Sequence, residues 1–342
     1  MQACTIRSFV ICFAILALFA AGCHSPKTPG PTSSQPPAAA KDVAFRVALL
    51  TPGPVSDAGW NAAAFEGLQL VKSHLKADTA LVQTTSPADF DDAFRDFAGR
   101  GFNLIFAHGF EYTDSALAAG REFPHTVFVV TSGSAASPNV ASLSFKIEQA
   151  AYVEGELAGM MSRSGVAGAI GGIELPAIKL TFQGFRRGFL DARPGGRVLT
   201  GFTGSFDDVG AAKEAALAQI NQGADFLFHD ADAAGLGVFE AAGQAHIYAF
   251  GANRNQNAVA ADVVIASAVT SIPDAFLKIA TAVKQGAFHP AMVEFGMRDG
   301  MVRVVLNPRL VSRIPPAAMA RVKSAERAIE SGQVVLPTAP AG

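Results

Sequence analysis

Cysteine is almost missing from this chain and wholly missing from its body. Of 342 residues, three are cysteine: Cys4, Cys12 and Cys23, all within the leading segment. Beyond them the chain can form no disulfide, no thiolate metal site and no cysteine nucleophile, so its stability must come from a buried core. Charge is sparse as well. Charged residues supply 16% of the chain and the net charge is −2, with no basic run, which excludes the clustered Lys/Arg face that nucleic acid requires. Tryptophan occurs once, at Trp60, against 26 phenylalanines. No Walker A loop, no GxSxG and no HExxH occurs. Without a nucleophile and its base, no catalytic residue is expected, and no cofactor or metal.

What is present begins with an export signal. Arg7 is followed by the apolar run Phe9–Ala21, too short and wrongly flanked for a stable transmembrane span. It ends Leu18-Phe19-Ala20-Ala21-Gly22-Cys23, which resembles a lipoprotein signal peptide over residues 1–22, with Cys23 the lipidated N-terminus. Plain secretion is the alternative. Residues 23–42, rich in Pro, Ser, Thr and Ala, read as a flexible tether.

From Val43 onward short apolar runs alternate with helical patterns, which implies βαβ units and parallel sheets with helices on both faces. The pattern then restarts. Phe65-Glu66-Gly67-Leu68 is echoed by Phe182-Gln183-Gly184-Phe185, and Gly101-Phe102-Asn103-Leu104-Ile105-Phe106 by Gly223-Ala224-Asp225-Phe226-Leu227-Phe228. The expected fold is α/β: two doubly wound parallel-sheet lobes in tandem. The division expected is 43–145 with 271–337 for the N-terminal lobe and 146–270 for the C-terminal lobe. A hairpin is expected at Asp299-Gly300 between Val293–Met297 and Val302–Leu306.

In open α/β sheets ligands sit beyond the carboxyl ends of the strands. That rule selects Asp57, Trp60 and Asn61 after the first strand, then His108-Gly109-Phe110 with Asp114 a turn further. In the second half it selects Gly171-Gly172, Gly204-Ser205-Phe206-Asp207, His229-Asp230-Ala231-Asp232 and Gly251-Ala252-Asn253. Trp60 and Phe206, on opposite lobes, are placed to sandwich a planar base. Each has a plainer alternative. Trp60 plugs a helix start, Phe206 belongs to the core, and Asp57 caps the helix that begins near Trp60. His108 and His229 are structural, and His229 with Asp230 and Asp232 lacks a second histidine at metal-ligand spacing.

Taken together, Asp57-Ala58-Gly59-Trp60-Asn61 with Phe65-Glu66-Gly67-Leu68, the segment Glu148 to Gly155, Gly204-Ser205-Phe206-Asp207-Asp208 and the ending Ile329 to Pro337 resemble the BMP/PnrA-like family of basic membrane lipoproteins. The resemblance implies a type I periplasmic-binding-protein fold, with two lobes closing about a hinge. It implies a lipid-anchored, extracytoplasmic substrate-binding protein of an ABC importer, with purine nucleosides as ligands and an ABC permease as partner. On that pattern Trp60 and Phe206 stack the base and Asn61 and Asp114 contact its edge. The family commonly has an acidic residue where this chain has Asn253 and a lysine where it has Thr270, two positions that serve the ribose. With both charges exchanged together, a planar heterocycle or differently substituted nucleoside is the expected ligand. A ligand-sensing lipoprotein subunit is the alternative on the same fold. An enzyme using Asp230 and Asp232 is a further alternative.

Overall fold

The computed structural model describes residues 44–57 and 59–337. The expected signal peptide, the lipidation site Cys23 and the tether lie outside the described residues. In chain order the first elements are β1 (Arg46–Thr51), α1 (Trp60–Leu75), β2 (Asp78–Gln83), α2 (Pro87–Gly99), β3 (Leu104–His108), α3 (Thr113–Glu122), β4 (Val127–Thr131) and β5 (Val140–Phe145). Next come α4 (Ile147–Met161), β6 (Val166–Gly171), α5 (Pro176–Ala192), β7 (Arg197–Phe202), α6 (Val209–Asn221), β8 (Phe226–Asp230), α7 (Gly235–Gln244), β9 (Tyr248–Asn253) and β10 (Val264–Thr270). The last elements among the described residues are α8 (Ile272–Lys284), β11 (Met292–Phe295), β12 (Val302–Leu306) and α9 (Pro316–Glu330).

Two six-stranded sheets result, ordered β2-β1-β3-β4-β5-β11 and β7-β6-β8-β9-β10-β12. The same winding appears twice, as the internal echoes imply, and both sheets are parallel except at β12. Central strands such as β1 and β3 read as unbroken apolar runs because helices cover both faces, and Val47 to Leu50 and Leu104 to Ala107 are fully buried. Helix starts follow from local chemistry. Ser86 and Asp89 form a capping box before α2, with Pro87 at its first position. Asp208 accepts from the Ala211 N–H at the start of α6. In the second lobe α4 and α5 approach closely enough that a Cβ on Gly188 would lie 1.9 Å from the Tyr152 carbonyl oxygen.

The chain passes between lobes at Lys146, at Ser271 and through the turn Met297–Asp299. These crossings bond to one another. The Lys146 N–H donates to the Phe295 carbonyl (2.8 Å) and the Ser271 N–H to that of Met301 (2.7 Å). The third crossing corrects two expectations. β11 joins the first sheet parallel to β5, whereas β12 joins the second, antiparallel to β10, so no hairpin forms at Asp299-Gly300. Gly300, at φ +70, ends a 3-10 turn that redirects the chain. Residues 302–330 therefore belong with the second lobe, not the first. α9 buries Ala318, Val322, Ala325 and Ile329 in the same core as α4 and α5.

Candidate ligand-binding cleft

The carboxyl ends of the two sheets' strands meet across the lobes. Asp232, just after β8, reaches the start of α1: its Oδ1 lies 2.9 Å from where a Cβ on Gly59 would stand. Arg254, just after β9, pairs with Glu66 of α1. A cavity of about 370 Å³ lies elsewhere, between the crossings, walled by Lys146, Glu148, Gln149, Glu294 and Arg298, and is lined by neither Trp60, Phe206, Asp232 nor Asn253.

On the first lobe, Asp57 holds the entry to α1. Its Oδ1 accepts from the N–H groups of Gly59 (3.0 Å) and Ala62 (2.9 Å). Its Oδ2 accepts from the Asn61 N–H (2.8 Å) and the Asn61 side-chain amide (2.9 Å). The orphan donors of the helix start are thereby satisfied, so the capping role is the one the geometry displays. Asn61 is 8% exposed, and its Oδ1 is buried without a partner.

Trp60 is half-buried against the first-lobe core. Its indole stacks on His108, with ring centroids 4.2 Å apart and planes 23° off parallel. The Trp60 carbonyl accepts from His108 Nε2 (3.0 Å), which puts the proton there and leaves Nδ1 to accept from the Thr131 hydroxyl (2.9 Å). Burial pushes the His108 pKa down to about 3, so the ring is neutral and fully bonded. It is a structural backing for the indole, not an acid or base. Phe110 is 51% exposed in the turn after β3, and Asp114 is exposed in the first turn of α3.

On the second lobe, Phe206 lies over Gly172 and packs against the core; a Cβ on that glycine would meet the ring at 2.3 Å. Its carbonyl accepts from the Ala234 N–H (2.8 Å), in the turn that Asp232 opens. The Trp60 and Phe206 segments thus flank one turn, while the ring that stacks on Trp60 is that of His108. Asn253 adopts φ +65, and its side-chain amide donates to Asp230 Oδ1 (3.1 Å). The Thr270 hydroxyl donates to the Asn253 carbonyl (3.1 Å). Asn253 and Thr270 are therefore drawn together, both bonded inside their own lobe.

His229 donates from Nε2 to Gln256 Oε1 (3.0 Å), and burial lowers its pKa to about 4. Burial raises Asp230 to about 6, with the Asn253 amide pulling the other way. Burial raises Asp232 further, to about 8, helped by the charges of Asp230 and Asp57 and opposed by the Trp60 N–H. Among the described residues no three His, Cys, Asp or Glu side chains are grouped to hold a metal ion. Sequence reasoning missed the Glu66–Arg254 pair and the contact of Asp232 with α1. Both join residues far apart in the chain, and neither lies in a local pattern that would announce it.

The chain resembles known proteins over this whole architecture. A purine-binding protein of Brucella abortus is 27% identical over 291 residues, covering 82% of each chain. An ABC transporter nucleoside-binding protein of Lactococcus lactis is 25% identical, covering 83% of this chain and 86% of its own. The solved structure of an ABC transporter solute-binding protein from Conexibacter woesei superposes with a TM-score of 0.72 at 27% identity, over 86% of this chain and 99% of that one. The family model for the PnrA-like ABC transporter substrate-binding protein matches residues 44–331. With both lobes inside that match, the chain belongs to the PnrA-like family, whose members bind substrate for ABC transporters and are not enzymes.

Proposed function

We propose that the protein captures a nucleoside or related planar heterocycle between its lobes and delivers it to an ABC permease, while a lipid on Cys23 holds it to a membrane on the extracytoplasmic side. The observation that carries this reading is Trp60. A half-exposed indole stands where the lobes meet, and a buried, neutral histidine fixes its plane from behind. A rigid aromatic backed in this way gives a flat ligand a surface to stack on, worth about 0.5–1.5 kcal/mol beyond simple burial. Phe206, Asn61 and Asp114 are the further contacts of this reading, with Asp57 setting the entry of α1 and Phe110 at the rim. The named specificities of the Brucella and Lactococcus relatives support the same ligand class. Asn253 and Thr270 spend their polar groups inside the lobe, which favours recognition through the heterocycle over recognition through a sugar.

No helix among the described residues is long and apolar enough to cross a membrane. On this reading the lipid supplies the attachment. Calorimetric titration of wild type and Trp60→Ala with adenosine, guanosine and their free bases tests the capture. The variant is expected to bind at least about tenfold more weakly with its circular dichroism unchanged. Equal affinity overturns the stacking role. For the anchor, Cys23→Ser is expected to move the protein from the detergent phase to the aqueous phase; retention in detergent overturns it.

A further inference from the structure

Asp232 is not explained by its local structure. It occupies φ +46, a left-handed conformation that an aspartate adopts at a cost, and such strain clusters at sites of function. It opens the 3-10 turn Asp232–Ala234. Its Oδ1 is buried without a partner, against the start of α1 in the opposite lobe. Three more carboxylates, Asp57, Asp207 and Asp230, act on it, and each disfavours its charge. A second orphan acceptor belongs to the same neighbourhood. The Asp57 carboxylate holds the Asn61 amide by its nitrogen, which turns the buried Asn61 Oδ1 away from that carboxylate with nothing bonded to it. Two oxygens near the start of α1, Asp232 Oδ1 and Asn61 Oδ1, are therefore buried without a hydrogen-bond partner, with the Trp60 N–H the one nearby donor that favours the Asp232 charge. A buried acceptor left unpaired is costly, and a donor that reaches it is correspondingly rewarded.

We propose that Asp232 is the specificity-determining residue of the cleft and that the ligand offers it a hydrogen-bond donor, an exocyclic amino group or a protonated ring nitrogen on a heterocycle. This rests on the reading of the cleft as a heterocycle site. A ligand with an amino nitrogen there satisfies Asp232 and draws the lobes together through it.

The test compares ligands that differ by one amino group. Adenosine against purine riboside, and guanosine against inosine, are titrated calorimetrically into wild type and Asp232→Asn. Asparagine tolerates the left-handed backbone and keeps the side-chain shape, so the variant is expected to fold, which thermal unfolding checks. In the wild type the amino-bearing member of at least one pair binds about tenfold or more tightly. In Asp232→Asn that preference falls to within about threefold, because the amide can present a donor in place of the carboxylate oxygen. Equal affinities within both pairs, or a preference that survives in the variant, overturn the assignment of Asp232 and leave heterocycle capture standing. Absence of binding by all four ligands overturns the capture reading and this one with it.

Discussion

One strand–turn–helix unit occurs in both lobes. In the first it comprises Leu104–His108, the 3-10 turn Phe110–Tyr112 and Thr113–Glu122. In the second it comprises Phe226–Asp230, the turn Asp232–Ala234 and Gly235–Gln244. The spans match residue for residue, so His108 answers to Asp230, Phe110 to Asp232 and Thr113 to Gly235. The backbones do the same work while the side chains diverge. On the first lobe the strand ends in a neutral histidine with both nitrogens bonded, the turn presents an exposed phenylalanine, and the Thr113 hydroxyl closes the turn on the Phe110 carbonyl (2.7 Å). On the second lobe the strand ends in a carboxylate, the turn holds a strained one, and Gly235 leaves room for the ring of His229. A duplicated scaffold has thus been dressed as an apolar platform on one side and an acidic face on the other. Lobes so unlike can hold the two sides of one flat ligand by different means.

The largest expected effect breaks the pairing at its packed end. A Cβ on Gly235 would lie 2.2 Å from the Cε1 of His229, a ring with no room to retreat. Gly235→Ala is expected to cost about 3 kcal/mol. Thr113→Ala removes one hydroxyl bond and is expected to cost about 1 kcal/mol. Urea denaturation of both variants measures the difference, and equal losses would contradict it.

The second effect separates the lobes by pH. His108 is neutral in the fold with its pKa lowered to about 3, so below the ordinary histidine value the unfolded chain binds the extra proton. Stability is then lost as pH falls from about 6.5 toward 3, by up to about 1.4 kcal/mol per pH unit. His108→Gln is expected to make that acid limb shallower, with His229 sustaining the remainder. Asp230 and Asp232 act in the opposite direction. Their folded pKa values, about 6 and about 8, exceed the unfolded value, so the folded chain holds protons that the unfolded chain releases. Stability falls as pH rises from about 4 through those values, and Asp232→Asn is expected to flatten the alkaline part. Glu154 on α4 adds to the same limb. It is fully buried, both oxygens lack partners, and burial raises its pKa well above the usual range. Glu154→Gln should therefore gain on wild type as pH rises above the ordinary glutamate range. Thermal unfolding across pH checks all three variants, and parallel curves would contradict them.

The smallest effect concerns the surface pair between lobes. Glu66 is largely exposed, so Glu66→Gln is expected to cost no more than about 1 kcal/mol of stability or closure, and less in high salt.

Much of the fold was legible because it is local. Strands of unbroken apolar residues alternate with helices whose starts are marked by Asp57, Ser86 and Asp208, and the repeat is visible in short echoes. The failures are non-local. Asp299-Gly300 has the composition of a hairpin, and nothing in its neighbourhood says that Val302 will find Thr270 in the other sheet. At the candidate site, the strand-end rule selected loops of both lobes that the fold brings to the start of α1, and Asp57 lay within reach of the helix it caps. The pairing of Asn253 with Asp230 depends on two neighbouring strands coming into register, and the left-handed backbone of Asp232 leaves no trace in composition. Sequence therefore pointed to the strand-end loops more clearly than to the bonds their residues make.

The central claim, that a flat heterocycle is held at Trp60 where the lobes meet, is tested most directly by intrinsic fluorescence, since the chain has one tryptophan. Titration with guanosine or adenosine is expected to change the emission saturably, at one ligand per chain, and with the affinity found by calorimetry. Calorimetric binding of these ligands with no change in Trp60 emission would contradict it.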